Sequence, residues 1–163
     1  MSSDFRFCPQ CGGPLAAHEA GGVERAACAN PACGFVHWDN PVPVVAALVE
    51  IDERILLARN VAWPEKVFGL ITGYLERDES PEQAVVREVG EELGLTASGV
   101  ELIGLYPFAA KNQLIIAYHV RAAGDVLLNE ELAEYRLIEP EKLKAWDFGT
   151  GPAVRDWLAA HQA

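Results

Sequence analysis

The sequence predicts an α/β protein, a mixed sheet sandwiched by helices, preceded by a small metal-held module. Three observations carry that reading. All four cysteines fall within the first 33 residues, as two short pairs. Beyond Asn40-Pro41-Val42-Pro43 the chain alternates short apolar, β-branched runs with a few helical segments. One of those helices, residues 81–93, is marked at both ends. The expected division is 1–38 for the module and 39–163 for the α/β domain.

Composition narrows the function classes. The chain has 163 residues, half of them apolar, with 13 basic and 24 acidic side chains, a formal charge of −11. That excess repels a phosphate backbone, so generic nucleic-acid binding is not expected. No apolar run approaches the roughly 20 residues of a membrane helix. Residues 1–6 carry an acid and no apolar stretch, so a cytoplasmic location is expected.

The module is read from its thiols. Cys8 and Cys11 form one pair, Cys28 and Cys33 the other, with Gly12 and Gly34 placed for tight turns. In a reducing compartment four soft thiolates suit a closed, tetrahedral Zn²⁺ site with a structural role, rather than disulfides. His18 and His37 are spare ligand candidates. Between the pairs the chain is rich in Ala and Gly and poor in large apolar residues, so metal must supply stability. The charges Asp4, Glu19 and Glu24 against Arg6 and Arg25 leave the module nearly neutral, which points to docking or bracing.

In the larger domain, 44–51 reads as a buried strand, and Asp52-Glu53 turns it into a second apolar run at 55–58. Segments 67–75, 102–108 and 114–120 are further strands, the last with the strongest β signal. Helices are expected at 81–93, near 140–145, and from 152 to about 160.

The helix at 81–93 carries the chemistry. Ser80-Pro81-Glu82-Gln83 is a capping box with proline at the first helical position, and Gly94 stops the helix. Taking Glu88 as zero, Glu91 falls at about −60° and Glu92 at about +40°, so three carboxylates share one face. Val85, Val86, Val89 and Leu93 form an adjoining apolar stripe at about 60° to 160°. Hard oxygen ligands in this arrangement suit Mg²⁺ or Mn²⁺ with substrate phosphates. On composition alone the same face reads as a solvated acidic surface.

The wider spacing decides between these readings. Gly73, Glu79, Arg87-Glu88-Val89, Glu91-Glu92 and Gly94-Leu95 fill nine specified positions in a 23-residue window, which resembles the complete Nudix box. The resemblance implies a Nudix-type α/β/α sandwich and hydrolysis of a nucleoside diphosphate linked to another group. It implies that Glu88, Glu91 and Glu92 bind metal, that Glu88 is the general base of some members, and that Arg87 orients the cluster. Gly73 matches the glycine whose carbonyl can reach a metal, and Glu79 the residue that supports loop and helix. Asp78 stands where many relatives have glycine. A further metal carboxylate is expected from the 130–137 run, with Glu134, just ahead of the final strand, as the choice.

The four-Cys module ahead of the box resembles the NADH pyrophosphatase and ADP-ribose pyrophosphatase group, in which a homodimer is plausible. Those NADH enzymes carry Ser-Gln-Pro-Trp-Pro-Phe-Pro after the box, where this chain has Gly104-Leu105-Tyr106-Pro107-Phe108-Ala109-Ala110. The departure shifts the expected small-molecule substrate to ADP-ribose or a similar derivative, with NADH, NAD or a nucleotide-capped RNA end as the alternative. Tyr106 and Phe108 are candidates to stack on a base, and Asn112 and Gln113 to recognise the distal group by hydrogen bonds. A non-catalytic sensor or docking module is the competing class, and the intact carboxylate set disfavours it.

Overall fold

The computed structural model describes residues 5–161; residues 1–4, which begin the segment read as lacking an export signal, lie outside the described residues. The chain divides into two units at Pro41/Val42, within the Asn40-Pro41-Val42-Pro43 segment.

The first unit is built on an antiparallel hairpin, β1 (Leu15–Ala20) and β2 (Val23–Cys28), joined by Gly21 and Gly22 at φ 66° and 77°. Two successive left-handed residues match the right-handed twist of paired strands, which is why two glycines stand there. Bridges from Phe7 to Pro14 and from Ala27 to Val36 add short flanking pairings. Among the described residues of this unit only Cys8 and Ala27 are buried, so apolar packing cannot hold it. The hairpin is an addition to the sequence reading, because its Ala-rich strands carry no alternation of large apolar residues.

The second unit centres on β3 (Val42–Ile51), which pairs in parallel with β7 (Gln113–Ala123). The opposite edge of β3 is shared: β4 (Arg54–Asn60) pairs at Val49–Ile51 and β5 (Ile71–Tyr74) at Val44–Ala47, both antiparallel. β6 (Thr96–Phe108) lies beyond β7, and β8 (Leu132–Ile138) beyond β4, giving a mixed six-stranded sheet. Asp52 and Glu53 both take positive φ and close the β3–β4 turn.

Burial on both faces of β3 produces two cores. Val45, Val49, Leu56 and Ile71 pack with Val85, Val89 and Leu93 of α1 (Pro81–Leu93). Ala46, Leu48, Ile55, Leu57 and Ile115 pack with Ala153, Val154 and Trp157 of α2 (Gly151–His161). Successive strand residues point to opposite faces, so a run of small and β-branched apolar residues serves both layers.

Several boundaries differ from expectation. β6 begins at Thr96 rather than 102, its start disguised by Ser98, Gly99 and register shifts at Ala97/Gly99 and Leu102/Gly104. The 67–75 run contributes strand only at Ile71–Tyr74, apart from a bridge between Gly69 and Ala58. The helix expected near 140–145 is a single 3₁₀ turn, Pro140–Lys142.

Candidate active site

Local sequence places α1 with its acidic edge beside β5. Ser80 Oγ accepts from the Gln83 backbone N–H at 3.3 Å while Gln83 Oε1 accepts from the Ser80 N–H at 2.8 Å. Gly94 closes the helix in the left-handed region. In the preceding loop Asp78 adopts φ 63°, the left-handed geometry that aspartate tolerates better than most side chains.

Arg87 organises the cluster. Its Nε and Nη2 donate to the two oxygens of Glu79 at 2.8 and 3.0 Å, and Nη2 also donates to the Tyr74 carbonyl at 3.1 Å. Nη1 donates to Glu88 Oε1 at 2.7 Å and to Glu91 Oε2 at 3.1 Å. The guanidinium holds Glu79 below the usual carboxylate range, and the Glu76 N–H adds to this by donating to Glu79 Oε2. The Glu88 carboxyl lies against Gly73, where a Cβ would overlap it, so only glycine admits the carboxylate to this point of β5.

The remaining acids repel one another. Glu92 is 8% exposed, and burial first, then Glu88, Glu131 and Glu91, raise its pKa to about 7. Burial also raises Glu88, with Arg87 opposing and Glu91 and Glu131 adding to the rise. Hard oxygen donors are the kind a divalent ion takes, and an ion here would replace this repulsion by attraction, although among the described residues only the four cysteines already bring their ligand atoms together. Of the three carboxylates on this face of the helix, Glu91 is the most exposed, its side chain at 59%.

A cavity of about 760 Å³ opens beside these groups, lined by Gly73, Glu76, Arg87, Glu88, Glu92 and Glu131 at its polar side. Glu134 does not line it: this residue lies within β8 and accepts from Arg59 Nε at 3.1 Å. The reason is where β8 starts. An Asx turn, in which Asn129 Oδ1 accepts from the Glu131 N–H at 3.0 Å, ends one residue before Leu132, so Glu131 takes the position just ahead of the strand.

The other walls are aromatic. Trp63 packs over Gly69, 3.1 Å from where a Cβ would sit, and also borders a smaller recess beside Glu92 and Glu131. Phe68 lies under the Arg136 guanidinium, 4.0 Å from ring centre to Cζ. Phe108, Trp146 and Phe148 line the same cavity, and Phe108 approaches Gly149. Of the four substrate-contact candidates, Phe108 and Gln113 line it, with Gln113 Nε2 donating to the Tyr74 hydroxyl at 3.2 Å. Tyr106 instead donates its hydroxyl to Asp156 on α2 at 2.7 Å, and Asn112 serves a turn in which its carbonyl accepts from the Val42 N–H. Trp63, Phe68, Trp146 and Phe148 escape sequence reasoning because they sit in connecting segments without periodicity; large aromatics beside Pro64 and Gly149 are the only signal.

In the first unit the four sulfurs converge within 4.8 Å of one another, Cys8 to Cys33 at 3.7 Å and Cys11 to Cys28 at 3.4 Å. Sulfurs about 2.3 Å from a central ion at tetrahedral corners stand about 3.8 Å apart, so the cluster is able to bind a metal. His18, on β1, and His37 lie outside this set.

A NUDIX domain family model matches residues 40–158. The chain is 32% identical over 145 residues to the NAD-capped RNA hydrolase NudC of Stutzerimonas stutzeri, covering 88% of this chain and 51% of that protein. It is 31% identical over 135 residues to the protein of that name from Mycobacterium tuberculosis, covering 82% of this chain and 42% of the relative. It thus spans about half the length of these curated relatives. A NUDIX hydrolase from Nitrosomonas europaea superposes with a TM-score of 0.73 at 26% identity, over 85% of this chain and 80% of that one. An ADP-ribose pyrophosphatase from Streptococcus suis superposes at 0.62 with 19% identity, over 76% and 94%, a likeness of fold alone. No helix among the described residues is long and apolar enough to cross a membrane. With the family model spanning both walls and the carboxylate helix, the chain belongs to the NUDIX family of hydrolases.

Proposed function

We propose that this chain hydrolyses the pyrophosphate bond of an NAD(H)-type dinucleotide, with a divalent metal ion at the α1 carboxylates. The observation that carries this reading is the cavity, in which acids lie alongside aromatic walls from three separate segments, Trp63–Phe68 on the one hand and Phe108 with Trp146–Phe148 on the other. A substrate with a planar ring at each end of a diphosphate uses both walls, whereas ADP-ribose uses one. The NAD-capped RNA hydrolases that match over most of this chain support the same choice. The ADP-ribose preference expected from the altered array after the box is therefore set second. The charge of −11 favours a free dinucleotide over a polyanionic RNA end.

In this reading Glu88, Glu92 and Glu131 would hold Mg²⁺ or Mn²⁺, with Glu91 and the Gly73 carbonyl as further donors, and Glu131 in the role expected of Glu134. The ion supplies neutralisation of the phosphate oxygens and a lower pKa for the attacking water. Glu88 accepts the proton of that water as its oxygen bonds to one phosphorus. The bridging P–O bond breaks, and two nucleoside monophosphates leave. Arg87, anchored by Glu79, fixes Glu88 and Glu91 against rotation. Cys8, Cys11, Cys28 and Cys33 hold a structural Zn²⁺.

Steady-state kcat/KM for NADH and for ADP-ribose, measured with Mg²⁺ and with Mn²⁺, tests the substrate. A higher value for NADH is expected; a clear preference for ADP-ribose overturns the dinucleotide reading.

A further inference from the structure

We propose that Lys111 is a specificity-determining residue that receives a phosphate carried on the substrate's ribose, outside the anhydride that is cut. The inference rests on the dinucleotide reading and extends it to 2′-phosphorylated dinucleotides. Two cationic residues line the cavity, Arg87 and Lys111. Arg87 is fully engaged by Glu79, Glu88, Glu91 and the Tyr74 carbonyl. Lys111 enters no ion pair among the described residues, although Glu76, Glu88, Glu92 and Glu131 line the same cavity. The acids and their metal therefore serve the anhydride, and Lys111 is left for a different anion.

Its backbone is fixed for that task. Lys111 ends the 3₁₀ turn Ala109–Lys111, which closes through the Asn112 N–H on the Ala109 carbonyl at 3.2 Å. Asn112 is left-handed at φ 49°, and its carbonyl accepts from the Val42 N–H at 2.8 Å, tying the turn to β3. Phe108, three residues before it, and Gln113, two residues after, line the cavity as well. Lys111 thus shares a wall with an aromatic platform, where a stacked nucleoside presents its ribose. A compact ammonium on a flexible stem suits a phosphomonoester there.

The test uses the full chain with Lys111→Ala and Lys111→Arg. Calorimetric binding of adenosine 2′,5′-bisphosphate and of 5′-AMP, both with Mg²⁺, reads the ribose phosphate directly. Lys111→Ala is expected to weaken the bisphosphate about tenfold more than AMP, and Lys111→Arg to retain most of the difference. In turnover, the variant's kcat/KM for NADPH falls relative to that for NADH, with the difference in KM rather than kcat. Equal weakening of both ligands, or no change, overturns the proposal. A loss confined to an NAD-capped oligonucleotide also overturns it, assigning Lys111 to the RNA chain's phosphodiester. If wild type cuts neither dinucleotide, the substrate reading fails, while the calorimetric comparison still decides Lys111.

Discussion

The two units gather like charges in opposite ways. In the first, four sulfurs meet where, among the described residues, only Cys8 and Ala27 are buried, so the ligand cluster is the core. In the second, the carboxylates of α1 sit at the edge of a sheet already held by two apolar layers. In the proposed reading an ion would therefore determine shape in one unit and chemistry in the other. The same Coulomb attraction becomes folding free energy where apolar burial is missing, and catalytic capacity where burial is already sufficient.

Removing the ion from the first unit has the largest expected effect. Structural zinc sites in small modules are worth on the order of 10 kcal/mol, so a strong chelator, or Cys8→Ser, collapses the hairpin of β1 and β2. Amide spectra should lose dispersion for residues 5–41 and keep it for 42–161, and elemental analysis should find one zinc per chain before treatment. Retained dispersion in 5–41 without zinc breaks the contrast between the units.

The next effect is on rate. Glu88→Gln removes a metal-facing charge and the proton acceptor, and is expected to lower kcat by a factor of about 10³, or about 4 kcal/mol. Without added metal its thermal midpoint should equal or exceed that of wild type, since Glu88 adds nothing to either apolar cluster and burial disfavours its ionised form. A parallel loss of fold shows that the second unit also depends on its acidic cluster for shape.

Glu92→Gln sharpens the comparison through pH. The folded-state pKa of about 7 stands above the ordinary 4.5, so ionising Glu92 costs stability that begins near pH 4.5 and is complete above 7. Without added metal, the variant is expected to be more stable than wild type by about 2 kcal/mol at pH 8 and equal to it at pH 4. Saturating Mg²⁺ reverses the order, because the ion binds the wild-type carboxylate more tightly. Urea unfolding at the two pH values, with and without Mg²⁺, checks both signs.

The smallest effect concerns a local contact. Ser80→Ala removes the acceptor for the Gln83 N–H and should cost about 1 kcal/mol of stability in the second unit, with kcat nearly unchanged. A large drop in kcat shows that the helix start sets the geometry of the carboxylates.

Legibility in the sequence follows from how local the determining physics is. The bounds of α1 are readable because capping box, proline and glycine act within a few residues of the helix ends. The turn at Asp52-Glu53 and the strand before it are readable for the same reason. The early part of β6 is not, since bulges at Ala97/Gly99 and Leu102/Gly104 interrupt the alternation that marks a strand. Glu131 and the aromatic walls depend on where β8 begins and on how loops from distant segments meet, which no local pattern encodes.

The divided edge of β3 has a consequence for how such a protein can change. Because β5 takes one half of that edge and β4 the other, the sheet forks, and the segment from β4 to β5 that carries Trp63 and Phe68 departs at the fork. Substitutions there alter what is held without touching Val45, Val49 or the α1 carboxylates. In the proposed reading, reactivity and selectivity are thus inherited on largely separate stretches of chain, the first on α1, its neighbour β5 and Glu131 ahead of β8, the second free to drift among loops.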